Sequence, residues 1–286
     1  MITLEDFHSN DPIAWCPGCG NFSILKALKQ AFVELDKKPC DIVIVSGIGQ
    51  APKTPHYLRC NTFNGLHGRT LPVATGIKLA NHELTVLAEG GDGDGYAEGG
   101  NHFLHAMRRN IDITYLVHNN QVYGLTKGQT SPTSGLGFVT KTAPLGTINP
   151  PLNPILLAIA SDCSFIARGF AGEIEHLTGL IKDAILHKGF AFIDILQPCV
   201  SFNRVNTFKW YSDRVYPVDD GPEYDSSDRM AAFTKAQQWG DRIPIGIIYR
   251  QKRPTLDGQL AAIAGETLVT QKIDAASFSG IFESFR

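Results

Sequence analysis

Short apolar, β-branched runs alternate along this chain with segments whose apolar residues recur every three or four positions. Phe22, Leu25, Leu28, Phe32 and Leu35 fall on one face at that spacing, which predicts a helix opening just after Cys19. The run "DIVIVSGIG" that follows is short, β-branched and closed by glycines, so it reads as a buried strand meeting a loop at its C-terminal end. The same alternation then repeats. "LTVLAEGGDGDG" is a strand and a glycine loop, "EGGNHFLHAMRRN" a helix, "DITYLVHNNQVYG" a strand and a loop, and "CSFIARGF" a strand. "EIEHLTGLIKDAILHKG" is a helix that Gly189 stops, and "FAFIDILQPC" is a further strand. Strands alternating with helices predict an α/β domain, a parallel sheet with helices on both faces. Between Gly124 and Pro154 the text turns to Gly, Pro, Ser and Thr, too long and too polar for a simple connector, which points to a functional loop. After Cys199 the periodicity fades, and "DRIPIGIIYR" is the one convincing strand. The expected division is a domain over residues 1–200 and a C-terminal extension over 201–286 that packs on the domain or on a partner. No internal repeat is visible.

Composition narrows the classes of function. At 286 residues the chain is near the upper limit for one hydrophobic core. With 43% hydrophobic and 19% charged residues it has the balance of an ordinary globular protein, and no run approaches the roughly 18 apolar residues of a membrane span. A net charge of −2, with acids and bases interspersed, argues against nucleic acid or a membrane surface and for small-molecule or protein partners. The opening "MITLEDFHSN" is acidic and polar, unlike a secretory signal, so the expected location is the cytoplasm. There the six cysteines serve metals, catalysis or packing before disulfides.

The loop "EGGDGDGYAEGG" follows a predicted strand and precedes a helix, where open α/β sheets bind ligands. It lacks the Lys-Ser/Thr of a P-loop and the spacing of a dinucleotide fingerprint, and Tyr96 stands where a calcium loop needs an oxygen ligand. Asp92 and Asn120 lie 28 positions apart, the length of one strand-to-strand crossover, so both fall at one edge of neighbouring strands and can share an ion. A carboxylate from Asp92, the amide oxygen of Asn120 and the carbonyl of Val122 suit magnesium and leave positions for a diphosphate. Backbone N–H groups around Gly93, Asp94 and Gly124 can hold its remaining oxygens.

The paired "GDGD" and "HNN" resemble the thiamine-diphosphate motif. Set among "WCPGCGN", "GIKLAN", "GGDGDGYAEGGNHF", "RRNIDITYLVHNNQVYGLTKGQTSPTS" and "QPCVSFN", they resemble the β subunit of the 2-oxoacid:ferredoxin oxidoreductases from Trp15 to about Tyr216. The resemblance implies that Ile48, Gly49, Gly91 and Leu125 join the residues above around thiamine diphosphate and Mg2+. It also places the loops carrying Lys53, His67, Arg69 and Lys127 at the active site, where these cations would meet phosphates or a substrate carboxylate. His56, in the same loops, belongs to that group, whereas His102 and His105 on a predicted helix are read as structural.

"WCPGCGN" sets Cys16 and Cys19 three positions apart. A redox dithiol would need a strand directly before the pair, and structural zinc would need a second close pair; neither is present. By the resemblance, Cys16, Cys19 and Cys199 hold a 4Fe-4S cluster. The family's fourth cysteine, in "SGIGC", is replaced here by Gln50, and an amide in place of a thiolate changes such a site. Cys60, ten positions on, is taken as the substitute. The alternatives are a three-cysteine, labile or absent cluster with Cys60 a buried small hydrophobe. Cys40 and Cys163 border strands and are read as packing residues.

The implied activity is CoA-dependent oxidative decarboxylation of a 2-oxoacid to an acyl-CoA and CO2, with electrons passed singly to ferredoxin. Thiamine diphosphate carries the organic chemistry. Lys53, Arg69 and Lys127 offer spare cations for a second carboxylate, which sets 2-oxoglutarate ahead of pyruvate. The chain has no candidate for the aminopyrimidine-binding half of a thiamine site, so an α subunit is expected to supply it in a heterotetramer. Two rivals stand beside this reading: a non-oxidative thiamine decarboxylase or synthase subunit, and a non-catalytic scaffold subunit.

Overall fold

The computed structural model describes residues 1–218, 224–272 and 275–285. Among the described residues ten strands are formed: β1 Ile42–Ser46, β2 Asn61–Asn64, β3 Thr85–Gly91, β4 Thr114–Asn119, β5 Val122–Tyr123, β6 Gln129–Thr130, β7 Phe165–Phe170, β8 Ala191–Leu196, β9 Val215–Val218 and β10 Ile243–Arg250. The helices that cover them are α1 Asn21–Glu34, α2 Thr70–Ala80, α3 Gly100–Arg109, α4 Pro154–Ala160, α5 Ile174–Leu186, α6 Phe208–Ser212 and α7 Arg229–Ala236. Eight strands make one sheet in the order β2-β1-β3-β4-β8-β7-β10-β9, and β5 and β6 form a separate two-stranded ribbon. Every pairing in the large sheet is parallel except β10 with β7.

Period-two alternation sorts the strand residues between two cores. Val43, Val45, Val86, Ala88, Tyr115, Val117 and Phe192 face one layer with Phe103 and Met107 of α3 and Ile155 and Ile159 of α4. Ile42, Ile44, Leu87, Leu116 and Ile193 face the other, against Leu28 and Phe32 of α1 and Leu177 and Ile181 of α5. Because strands buried on both sides carry no polar face, they read in the sequence as unbroken apolar runs.

The segment beyond residue 200 behaves differently from an appended wrap. It adds β9 and β10 to the sheet, and Val218, Tyr224, Ala232, Ala236 and Ile248 enter the first core. Cys163 is buried, as a packing residue should be, whereas Cys40 is exposed at the approach to β1, with its Sγ 3.5 Å from Asp41 Oδ1.

Candidate active site

The strand order runs outward in opposite directions from β1 and β3, so the loops leaving their C-terminal ends diverge and open a crevice. The register sets Gly91 of β3 beside His118 of β4, which brings Asp92 and the pair Asn119 and Asn120 to the same edge. Ile48, Gly49, Gly91, Asp92, Gly93, Asp94, Asn120, Val122, Gly124 and Leu125 all line one hollow there, together with Gln50, His67 and Tyr123.

The two aspartates of "GDGD" do different work. Asp92 is buried; its Oδ2 accepts from the hydroxyls of Ser131 and Thr133, the latter at 2.6 Å. Burial raises its carboxyl to about 6 and those two hydroxyls pull the other way, so it is a carboxylate at neutral pH. Asp94 is a latch. Its Oδ1 accepts the Gly68 N–H at 2.8 Å and the Ile48 N–H at 3.1 Å, and lies 3.0 Å from His67 Nδ1. Gly68 has φ +69 and a Cβ there would strike the backbone at Glu98, so only glycine brings that N–H to Asp94. Between the strand and α3, Gly93–Glu98 wind as a π-helical turn, a wide turn often found at functional sites. Gly93 is bare because the ring of Tyr123 lies against it.

The ion-binding chemistry follows. Asp92 lines the hollow with a carboxylate that no cationic side chain occupies among the described residues, and Asn120, whose Oδ1 here accepts the Val122 N–H at 3.0 Å, lines it too. A single carboxylate with amide and carbonyl oxygens suits a hard divalent ion that keeps positions for phosphate. Among the described residues no three His, Cys, Asp or Glu side chains close on one ion.

A second hollow adjoins the first. Cys16, Cys19 and Cys199 line it with Trp15, Asn21, Gln50, Asn120, Gly124 and Gln197. Gln50, Asn120 and Gly124 line both hollows and form their common wall. Gln197 Nε2 donates toward Cys19 Sγ at 3.4 Å and the Phe202 N–H toward Cys199 Sγ at 3.4 Å. Three buried polar atoms on this lining, Asn21 Nδ2, Gln50 Oε1 and Gln197 Oε1, have no partner among the described residues. Three thiols, donors aimed at sulfur and orphaned amides are the donor set an iron-sulfur cluster would satisfy.

Comparison with known proteins places the chain. Residues 45–195 match the thiamine pyrophosphate enzyme, C-terminal TPP binding domain, and residues 199–265 match the C terminal of the pyruvate ferredoxin oxidoreductase beta subunit. The 2-oxoacid:ferredoxin oxidoreductase subunit beta of Saccharolobus solfataricus is 51% identical over 249 residues, 83% of this chain and 82% of that one. This chain belongs to the β subunits of the 2-oxoacid:ferredoxin oxidoreductases. The 2-oxoglutarate oxidoreductase subunit KorB of Mycobacterium tuberculosis is 44% identical over 199 residues, 70% of this chain and 53% of that one. A solved 2-oxoglutarate:ferredoxin oxidoreductase from Magnetococcus marinus superposes with a TM-score of 0.91 at 37% identity, over 98% of this chain and 96% of that one. The cofactor of this β-subunit domain is thiamine diphosphate.

Within this family assignment, several residues singled out in the sequence sit elsewhere. Cys60 does not join the other three cysteines. It stands one residue before β2, whose Asn61 pairs with Val43 near the start of β1, whereas Gln50 follows the far end of β1. Cys60 packs in the second core, where burial, and after it the charge of Glu89, pushes its thiol up to about 12. Of the four loop cations only His67 lines the hollow. Arg69 turns to His102, with Nη1 2.9 Å from Nε2. Lys53 lies in the 3-10 turn Ala51–Tyr57, and Lys127 is exposed in the turn joining β5 to β6.

Sequence reasoning missed the oxygens behind Asp92. Ser131 and Thr133 come from the Gly/Pro/Ser/Thr loop, and Thr133 Oγ1 also lies 2.9 Å from Asn119 Oδ1. Asn119 Nδ2 donates to Asp194 Oδ1 at 3.0 Å, and Tyr96 donates to the same oxygen at 2.8 Å. The signal was the polarity of that long loop, which marked the segment but not the residues.

Proposed function

We propose that this β subunit, joined to an α subunit, carries out CoA-dependent oxidative decarboxylation of 2-oxoglutarate, with pyruvate as the next candidate, and passes the electrons through a 4Fe-4S cluster to ferredoxin. The observation that carries the reading is the common wall between a diphosphate-type hollow and a three-cysteine hollow. Thiamine diphosphate, when bound, supplies a stabilised carbanion and an electron sink at the keto carbon. Asp92, Asn120 and the Val122 carbonyl would hold Mg2+ on the diphosphate, and the N–H groups of Gly93, Asp94 and Gly124 its outer oxygens. Cys16, Cys19 and Cys199 would hold the cluster one wall away, close enough to take electrons singly. His67, fixed between Asp94 at 3.0 Å and Glu98 at 3.5 Å, would face the substrate carboxylate. Lys53, Arg69 and Lys127 are each within two residues of the lining residues Ala51, His67 and Thr126 but are not in the lining, so a role at the substrate would require these side chains to move. Support for 2-oxoglutarate comes from the Magnetococcus enzyme, whose structure holds 2-oxoglutarate, coenzyme A and succinyl-CoA.

The test is calorimetric titration of the assembled αβ protein with thiamine diphosphate in the presence and absence of Mg2+, followed by viologen reduction with 2-oxoglutarate or pyruvate and CoA. Asp92→Asn should weaken Mg2+-dependent binding at least 100-fold, since it removes the sole carboxylate of the ion site. Tight binding by this variant would refute the ion site. Faster turnover on pyruvate would reverse the substrate order.

A further inference from the structure

We infer that the side-chain oxygen of Gln50 is the fourth protein ligand of the cluster, so that one iron is held by an amide on the wall facing the thiamine hollow. This rests on the reading of the three-cysteine hollow as a cluster site.

Three thiolates leave one iron of a four-iron cluster without a protein sulfur, and Cys60 is absent from the lining. The cysteines approach from two segments only: Cys16 and Cys19 precede α1, and Cys199 follows β8. The wall opposite them is made by Gln50, after β1, with Asn120 and Gly124, after β4. The Gln50 backbone is pinned, because its carbonyl accepts from Trp15 Nε1 at 2.7 Å. Its Cγ lies 3.4 Å from the place a Cβ on Gly124 would take, so the side chain lies along the shared wall. Its Oε1 is shielded from solvent and without a partner among the described residues, an arrangement that costs stability unless a ligand satisfies it.

The other amides of the lining are less suited. Asn21 Oδ1 is engaged by His118 Nδ1 at 2.9 Å, which leaves a donor, Nδ2, toward the hollow. Asn120 Oδ1 accepts the Val122 N–H at 3.0 Å. Gln197 stands two residues from Cys199 with its amide nitrogen held by the Pro198 carbonyl at 2.8 Å and directed at Cys19, so its role is that of a donor to sulfur.

An uncharged oxygen is a harder and weaker iron ligand than a thiolate, and it leaves the cluster one unit less negative. Two properties follow: a higher reduction potential than a four-thiolate site would have here, and one iron that is lost more easily on oxidation.

The experiment uses the αβ protein purified without air. Iron and acid-labile sulfide are counted, the potential is measured by EPR-monitored titration, and loss of one iron to ferricyanide is followed through the three-iron EPR signal. Gln50→Cys should lower the potential and slow iron loss about 10-fold, Gln50→Ala should speed it about 10-fold, and Gln50→Glu, which keeps an oxygen at the same reach and adds a negative charge, should retain its iron at least as long as the parent with a lower potential. Parent-like potential and iron retention in both Gln50→Ala and Gln50→Cys would overturn the assignment. An active parent protein with no iron or sulfide would overturn the cluster reading itself, a failure distinct from a cluster that ignores Gln50.

Discussion

At the scale of single residues, burial decides what each acid near the site does. Asp92 and Asp94 are two positions apart, yet one keeps an oxygen for an ion while the other spends its carboxylate on two loop N–H groups and His67. Glu89 and His118 face each other at 3.8 Å, but burial alone lowers His118 to about 3 and raises Glu89 to about 7, against a smaller opposing pull from Thr54, so below neutrality both are uncharged. This has a measurable sign. From its ordinary value of 4.5 up to about 7, Glu89 is protonated in the folded chain and ionised in the unfolded one, so its contribution to stability is full below 4.5 and is lost as pH rises through 7. His118 runs the other way below 6.5, and the two slopes partly cancel in the parent chain. Comparison with Glu89→Gln isolates the acid. Urea unfolding should show the parent losing about 3 kcal/mol relative to the variant between pH 4.5 and 8, and a pH-independent difference would contradict a neutral buried acid. Asp92 and Asn120 were legible in the sequence because chemistry fixes their type and crossover length fixes their spacing. Ser131, Thr133 and Asn119 were not, because their contacts depend on which loops meet over the sheet.

At the scale of elements, the strands buried on both faces and the amphipathic helices α1, α3 and α5 could be read from hydrophobic period. The short edge strand β2 could not: "NTFN" is exposed throughout and is a strand only because β1 offers it a parallel ladder. Strand β9 and helix α7 stayed hidden for a related reason, since their apolar residues are few and find partners only after β10 has joined β7. The loop between β6 and α4 is the element closest to function. It docks through Ser131 and Thr133 on Asp92, and through Ser134, whose Oγ donates to the Gln121 carbonyl at 2.6 Å. Removing one such anchor should loosen the ion site without unfolding the sheet. Thr133→Val keeps the shape and deletes the donor to Asp92, which corresponds to roughly 1.5 kcal/mol for a hydrogen bond to a charged group. Titration should show Mg2+-dependent thiamine diphosphate affinity falling about 10-fold with the melting temperature of the αβ protein lowered by a few degrees at most. Unchanged affinity would mean that the loop anchors serve folding alone.

At the scale of the whole molecule, the site is open on one side. Ile48 and Leu125 line the hollow beside Asp92 and are 41% and 43% exposed, and Leu66, next to His67, is 74% exposed. Leu136, Leu145 and Ile148, in the long loop, are also uncovered. Apolar side chains around the mouth of a polar cavity mark a surface that another chain covers, and a β subunit of this family has an α subunit to do so. Leu66 is the sharpest probe. Its side chain is mostly in solvent, so an acid there adds little strain to the β fold, while an acid buried in the assembled interface would be desolvated without a partner. Leu66→Asp should leave the melting temperature of the β chain within about one degree of the parent. It should weaken αβ association by at least 30-fold in sedimentation equilibrium, about 2 kcal/mol of binding energy. Thiamine diphosphate affinity should fall with it at protein concentrations where the complex comes apart, and should return when α subunit is added in excess, because mass action restores the missing half of the site. Assembly as tight as the parent's would place the α subunit on another face, and the open mouth would then need a different cover.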